Sequence, residues 1–169
     1  LSPTMLAQAH QEHPGLVLLR GEASALPLAS ASLHGVLMEC VLSLAHSPGA
    51  VLAECQRVLR PGGWLVLSDL YLRAPLGGTP DRSPPGCLGG ARDSKGWQGL
   101  VREAGLELTA WEDHSDHLRR LAAQLAWSHG SAAAMWGDCS GDCRGLAQAI
   151  AQARPGYFLI TAKKAERHG

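Results

Sequence analysis

One stretch of the chain carries a helix, a turn and a buried strand in unbroken succession: AECQRVLRPGGWLVLSD, residues 53–69. Apolar side chains recur at helical spacing from Ser47 to Leu59, which predicts an amphipathic helix there. The segment 60–63, Arg-Pro-Gly-Gly, ends that helix because proline and glycine do not continue it. The apolar run 64–68 that follows is typical of a buried strand. A helix that turns directly into a buried strand is one half of a βαβ unit.

The same alternation extends in both directions along the chain. Other short apolar runs predict strands at 16–19, 33–40, 106–111 and 157–162. Start and stop signals predict helices from Ser2, a candidate N-cap, to about His10, over 94–104 with Gly105 as its end, over 117–127, and within 140–153. Short buried strands alternating with helices indicate an α/β fold with a mostly parallel sheet.

Length and charge exclude several classes of protein. The chain has 169 residues, 46% of them hydrophobic and 18% charged, which fits a single folded domain over 1–169. Fifteen Lys and Arg balance fifteen Asp and Glu. A neutral chain lacks the charge of a nucleic-acid or anionic-membrane binder, and no apolar run reaches the length of a membrane span. We therefore expect a small-molecule ligand.

The cysteines indicate a reducing environment. Their number is odd, five, and no apolar segment typical of a secretory signal opens the chain. We therefore expect a cytoplasmic protein with free thiols.

In a parallel sheet, ligands bind beyond the carboxyl ends of the strands. This rule points to residues 21–23, to Glu39 and Cys40, and to Ser68 and Asp69. Asp69 either orients a substrate or caps the next turn. The irregular segment 72–93 is rich in Gly and Pro, and its length predicts a lid or binding loop.

Three blocks resemble class I S-adenosylmethionine-dependent methyltransferases of the type 11 group. They are GEASALPL (21–28), VLM (36–38) and AECQRVLRPGG (53–63), in the order and spacing of that family. The resemblance covers about residues 1–111. It implies a Rossmann-like three-layer αβα fold with an antiparallel strand near the C-terminus, and S-adenosylmethionine as cofactor.

The same resemblance implies cofactor contacts. The Glu22 carboxylate would accept a hydrogen bond from the adenine amino group, and the Ala23 N–H would reach an adenine nitrogen. Met5 would pack its thioether on the purine, and Glu39 would lie at the same edge. The alternative for Glu22 is a solvated acid in a turn.

The chain also departs from the family. It has no D-x-G-x-G-x-G loop, and His34 and Gly35 stand where the family has an Asp. The acid that ends the family's second strand is also absent. We therefore expect the N-terminal βα units, about 50–80 residues, to be missing from this chain.

Cys40 and the segment GCLGGA (86–91) resemble arsenite methyltransferases. The resemblance implies that Cys40 and Cys87 are catalytic residues, whose thiolates hold trivalent arsenic near the methyl donor, a soft-ligand pair for a soft element. The alternative is that Cys40 is a small side chain packed at a strand end. Cys55, on the apolar helix face, is expected in the core.

Cys139 and Cys143 form a C-x₃-C pair in a Gly-containing segment. They could join Cys87 in a metal or metalloid site, form a redox pair or half of a zinc site, or be incidental. The main functional hypothesis is methyl transfer to a small molecule, and the most specific form of it has arsenite as the substrate. The competing hypothesis is a non-catalytic or truncated methyltransferase-like module that binds a metal or a partner through its cysteines.

Overall fold

The computed structural model describes residues 2–75, 86–129 and 143–166. The helices are α1 (Pro3–Glu12), α2 (Pro48–Val58), α3 (Ser94–Glu103), α4 (Ser115–His129) and α5 (Cys143–Ala153). The strands are β1 (Leu33–Glu39), β2 (Leu59–Leu72), β3 (Leu106–Asp113) and β4 (Pro155–Lys164). Two short 3₁₀ turns, Leu42–Leu44 and Gly86–Leu88, follow β1 and precede α3. In this described part of the chain, no helix has the length and hydropathy needed to cross a bilayer.

Side-chain caps and a glycine define the ends of two helices, and the cap at Ser2 is as predicted. The Ser2 hydroxyl accepts a hydrogen bond from the Met5 N–H at the start of α1, with Pro3 in the first turn. Asp93 caps α3 in the same way through the Gly96 N–H. Gly105 ends that helix with a φ of 77°, in the left-handed region that favours glycine.

The sheet has the order β1-β2-β4-β3. β1 pairs parallel with β2, whereas β4 pairs antiparallel with both β2 and β3. Three strands therefore share one direction and β4 opposes them. This mixed sheet confirms the predicted α/β fold with an antiparallel strand near the C-terminus, and among the described strands the β1–β2 pairing is the parallel one.

The predicted strand at 16–19 is wrong. These residues form no strand, and Val17 is 89% exposed. A strand needs a neighbour for its backbone groups, and within the described residues the free edge of β1 has no partner. Leu37 on β1 is correspondingly 65% exposed. Residues 16–19 have the apolar pattern of a strand, but they have no neighbouring strand with which to pair in the described structure.

β2 begins earlier than predicted and is longer. Residues 60–63, expected as a turn, already belong to it, and its register against β1 shifts between Leu33 and Gly35. Gly62 there has a φ of 77°. The Pro-Gly-Gly segment therefore ends α2 and leads into the sheet through an irregular extended stretch.

Half of the chain's eight aromatic residues meet in one cluster on the sheet. Phe158 of β4 stacks on Trp111 with ring centroids 4.5 Å apart. Trp97 and Tyr71 also contact it, at 5.8 and 6.4 Å. Cys55 is 3% exposed in the core between α2 and the sheet, which confirms its predicted place.

Candidate functional site

Cys40 lies directly after β1, at the carboxyl edge of the sheet. Its φ is 50°, a left-handed conformation that is uncommon for a residue with a side chain. The Cys40 N–H donates to the Ser68 carbonyl oxygen at 2.8 Å, so the residue is tied to the neighbouring strand β2. The strained conformation and this hydrogen bond together fix the Cys40 backbone, and therefore the point from which its side chain extends.

The second predicted cysteine contacts the backbone of the first. Cys87, in the 86–88 turn, has its Sγ 3.8 Å from the Cys40 carbonyl oxygen, to which it donates. Gly90 makes this approach possible, because a Cβ there would lie 1.9 Å from the Ser43 carbonyl oxygen. The two loops that carry the cysteines therefore touch backbone to backbone. The two cysteines, predicted from separate segments, are therefore neighbours in the structure.

Asp69 holds the loop that follows Cys40. It is fully buried, and its carboxylate accepts from the Ser43 N–H at 2.8 Å and the Ser43 hydroxyl at 2.7 Å. The Leu70 N–H donates to it as well, at 2.7 Å. Of the two predicted roles for Asp69, the capping role is the one that these contacts describe.

A third side chain, Tyr157, contacts Cys40 and was not among the predicted site residues. The Cys40 thiol donates to the Tyr157 hydroxyl, with sulfur and oxygen 3.9 Å apart, and that hydroxyl donates to the Ser68 hydroxyl at 2.8 Å. Burial raises the pKa of the Cys40 thiol, the Tyr157 hydrogen bond opposes this, and the charges of Asp69, Cys87 and Glu39 add to the rise. No sequence motif marks Tyr157, because its partner is 117 residues away; only the antiparallel pairing of β4 with β2 brings it to Ser68.

The residues expected to contact a cofactor are at the surface. Glu22, Ala23 and Glu39 are exposed, and Met5 is 72% exposed. The Glu22 carboxylate accepts from the Ser24 hydroxyl at 3.1 Å, in a tight turn closed by the Ala25 N–H on the Glu22 carbonyl. These positions offer a carboxylate and a thioether to a ligand.

The motif residues Glu54 and Arg57 of α2 form hydrogen bonds to the segment that follows this turn. Arg57 donates twice to the Glu54 carboxylate, at 2.7 and 2.9 Å. It also donates to the carbonyls of Leu26 and Leu28, while Glu54 accepts the Leu26 N–H at 2.8 Å. The Arg57 hydrogen bond lowers the pKa of Glu54 to about 2. The E-x-x-R spacing of the motif therefore builds a clamp, Glu54 with Arg57, that fixes residues 26–28.

A cavity of about 420 Å³ opens between the two loops of the thiol site. The turn after β1 contributes Ser43 and His46, and the glycine-rich loop around Cys87 contributes Gly86, Gly90 and Arg92. Neither Cys40 nor Cys87 is among the residues that line it.

The predicted site that adds Cys139 and Cys143 to Cys87 stays a prediction. Cys139 and the side chain of Cys143 lie outside the described residues. Within the described part, no cluster of three or more His, Cys, Asp or Glu side chains is suited to hold a metal ion. The segment 76–85 of the predicted lid also lies outside the described residues.

Residues 1–67 match a family model described as a methyltransferase domain. The chain is therefore similar in this region to methyltransferases. It is 30% identical over 115 residues to an arsenite methyltransferase of Halobacterium salinarum, an alignment that covers 63% of this chain and 29% of that protein.

Solved methyltransferase structures share the fold of this chain. The arsenic(III) S-adenosylmethionine methyltransferase CrArsM of Chlamydomonas reinhardtii superposes with a TM-score of 0.59 at 19% identity, covering 100% of this chain and 54% of that one. A geranyl diphosphate methyltransferase in complex with SAM gives 0.71 at 16% identity, covering 98% and 66%. The fold is therefore Rossmann-like. The chain spans under a third of the length of the arsenite methyltransferases that it matches.

Proposed function

We propose that this chain takes part in S-adenosylmethionine-dependent methyl transfer to a small-molecule acceptor, and that the acceptor is trivalent arsenic held by Cys40 and Cys87. The observation that supports the proposal is the contact between these two cysteines at the carboxyl edge of the sheet, where the Cys87 Sγ donates to the Cys40 carbonyl oxygen. The arsenite methyltransferase names among its relatives support the same acceptor.

Two exposed side chains support a place for the adenosine part of the cofactor. The exposed Glu22 carboxylate can accept from an amino group, and exposed Met5 can cover an aromatic ring. The Glu54–Arg57 clamp holds the segment after Glu22, so the turn is supported before a ligand arrives. When bound, S-adenosylmethionine supplies a methyl group on a sulfonium, which a lone pair can accept without a general base.

The role of the chain's own thiols is to capture and orient. Arsenite carries hydroxyl groups on arsenic, and each cysteine that binds forms one S–As bond while its proton leaves with hydroxide as water. The step involves no change of oxidation state. Two sulfur ligands from two loops restrict the orientation of the arsenic lone pair, and such positioning is the main source of rate in a reaction of this type.

Product analysis tests the acceptor. The full-length protein is incubated with S-adenosylmethionine and arsenite, and methylated arsenic is measured by chromatography with mass spectrometry. We expect methylated products from the wild type and none from Cys40→Ser or Cys87→Ser. Cys55→Ala serves as the matched thiol control, because Cys55 is buried in the core away from the site. Equal product from all three variants would falsify the role of the pair.

Binding of the cofactor product separates this proposal from the competing one. S-adenosylhomocysteine is titrated calorimetrically into the full-length protein. Binding that is weakened by Glu22→Ala supports the methyltransferase proposal. No binding, together with uptake of a metal ion through the cysteines, supports a non-catalytic module.

A further inference from the structure

We infer that Tyr157, held by Ser68, is the positioning residue for Cys40: its hydroxyl keeps the Cys40 sulfur in place for capture of a soft electrophile. This inference rests on the proposed function for its substrate, but the geometry concerns the thiol itself. Nothing in the resemblance to methyltransferases pointed to either residue.

Three strands contribute to this arrangement. Cys40 follows β1, Ser68 lies on β2 and Tyr157 lies on β4, so the group spans adjacent strands of the sheet. Ser68 binds both partners: its carbonyl oxygen accepts the Cys40 N–H, and its hydroxyl accepts from Tyr157. Ser68 is only 3% exposed, so this hydrogen-bonded pair has little competition from water.

The Tyr157 hydroxyl can serve Cys40 in both of its states. With the thiol protonated, it accepts the S–H, at 3.9 Å. With sulfur as thiolate, a hydroxyl rotation lets it donate to the sulfur, and hydrogen bonds to a charged acceptor are the stronger kind. The other groups facing Cys40, namely Asp69, Cys87 and Glu39, bring negative charge when ionised. Tyr157 is the neutral donor in this set and favours the reactive form of the sulfur.

The backbone and the side chain of Cys40 are held by different contacts. The main chain, at a φ of 50°, is held by the hydrogen bond to the Ser68 carbonyl oxygen, and the sulfur is held by the contact with the Tyr157 hydroxyl. Cys87 contacts the carbonyl of Cys40, not its sulfur. Before a substrate arrives, Tyr157 is therefore the side chain that selects the direction of the Cys40 thiol.

Alkylation within one protein measures the effect directly. The full-length protein is treated with iodoacetamide at pH 8, and the rates at Cys40 and Cys87 are followed separately by peptide mass spectrometry. We expect Tyr157→Phe to slow alkylation of Cys40 about tenfold and to leave Cys87 unchanged. Ser68→Ala, which keeps the tyrosine ring, should slow Cys40 to a smaller extent. Tyr71→Phe is the matched control, since the Tyr71 hydroxyl donates to Asp113 and not to the thiol site.

Phenylarsine oxide gives the second readout, because it binds two thiols with release of one water. Its affinity should fall about tenfold in Tyr157→Phe and stay constant in Tyr71→Phe. An unchanged or faster Cys40 rate in Tyr157→Phe, or an equal loss in Tyr71→Phe, overturns the inference. Failure of arsenite methylation with the alkylation pattern intact would reject the proposed acceptor while leaving Tyr157 as the residue that positions this thiol.

Discussion

At the scale of single residues, the thiol site depends on a glycine as much as on its cysteines. The hydrogen at the Gly90 Cα is what allows the loop of Cys87 to lie on the loop of Ser43. A methyl group at this position would clash with the Ser43 backbone, which cannot move away by changing a side-chain rotamer. The whole loop must shift instead.

Gly90→Ala should therefore separate the two cysteines without altering either. We expect the affinity for phenylarsine oxide, measured by calorimetry, to fall about tenfold or more. Gly99→Ala on α3 is the control, because its added Cβ meets no atom within 4 Å. That change should preserve affinity and raise stability by about 0.5–1 kcal/mol, as alanine does inside a helix.

The cysteines of the described residues differ sharply in environment. Cys55 is 3% exposed, and burial raises its pKa to about 11, whereas Cys40 and Cys87 are half-buried. We predict that iodoacetamide at pH 8 modifies Cys40 and Cys87 in the native protein and spares Cys55 until denaturant is added. Mass spectrometry before and after denaturation checks this. Native labelling of Cys55 at the rate of the other two would contradict its buried position.

At the scale of elements, the Glu54–Arg57 clamp links α2 to the turn that carries Glu22. The pKa of Glu54 in the folded protein, about 2, lies below its ordinary value of 4.5 because of the Arg57 hydrogen bond and the Leu26 N–H. A depressed pKa contributes stability that is complete above pH 4.5 and is lost as the pH falls towards 2.

Acidification should accordingly release residues 26–28 before the sheet. We expect the protection of the Leu26 amide, measured by hydrogen exchange, to fall between pH 4.5 and pH 2. The Cys40 amide, which donates to the Ser68 carbonyl oxygen, is the internal reference, and its protection against exchange should fall less. In Glu54→Gln the Leu26 amide should exchange faster already at pH 6, with a weaker dependence on pH. Glu12→Gln, an exposed acid on α1, should leave the profile as in the wild type.

The sequence predicted those elements whose signals are local. The cap at Ser2, the end of α3 at Gly105 and the helical spacing of α2 depend on neighbours a few residues away, and all three were confirmed. The strand at 16–19 failed because strand formation depends on a partner, which periodicity does not contain. Spacing alone could not have found Tyr157, because the pairing of distant strands creates its contact with Cys40.

At the scale of the whole molecule, β4 organises the sheet, since it pairs with both β2 and β3. Phe158 at its start is fully buried and joins the aromatic rings of Tyr71, Trp97 and Trp111. We predict that Phe158→Ala lowers the free energy of unfolding by about 3–5 kcal/mol, the usual cost of removing a buried ring.

Urea unfolding followed by circular dichroism measures this loss. Phe158→Leu keeps most of the volume and should cost less, which preserves the test if the alanine variant does not fold. Trp127→Ala removes a ring that is 93% exposed and should change stability by no more than about 0.5 kcal/mol. Comparable losses from Phe158 and Trp127 would place the stabilising core elsewhere.

The strand order also has a consequence for synthesis on the ribosome. β2 ends at Leu72, but its partner β4 begins only at Pro155. At roughly 5–20 residues per second, translation leaves that edge of β2 open for on the order of 10 s. During this time the nascent chain exposes an apolar strand edge of the kind that chaperones protect. Slow codons between the two strands should therefore lower the yield of soluble protein, and faster ones should raise it.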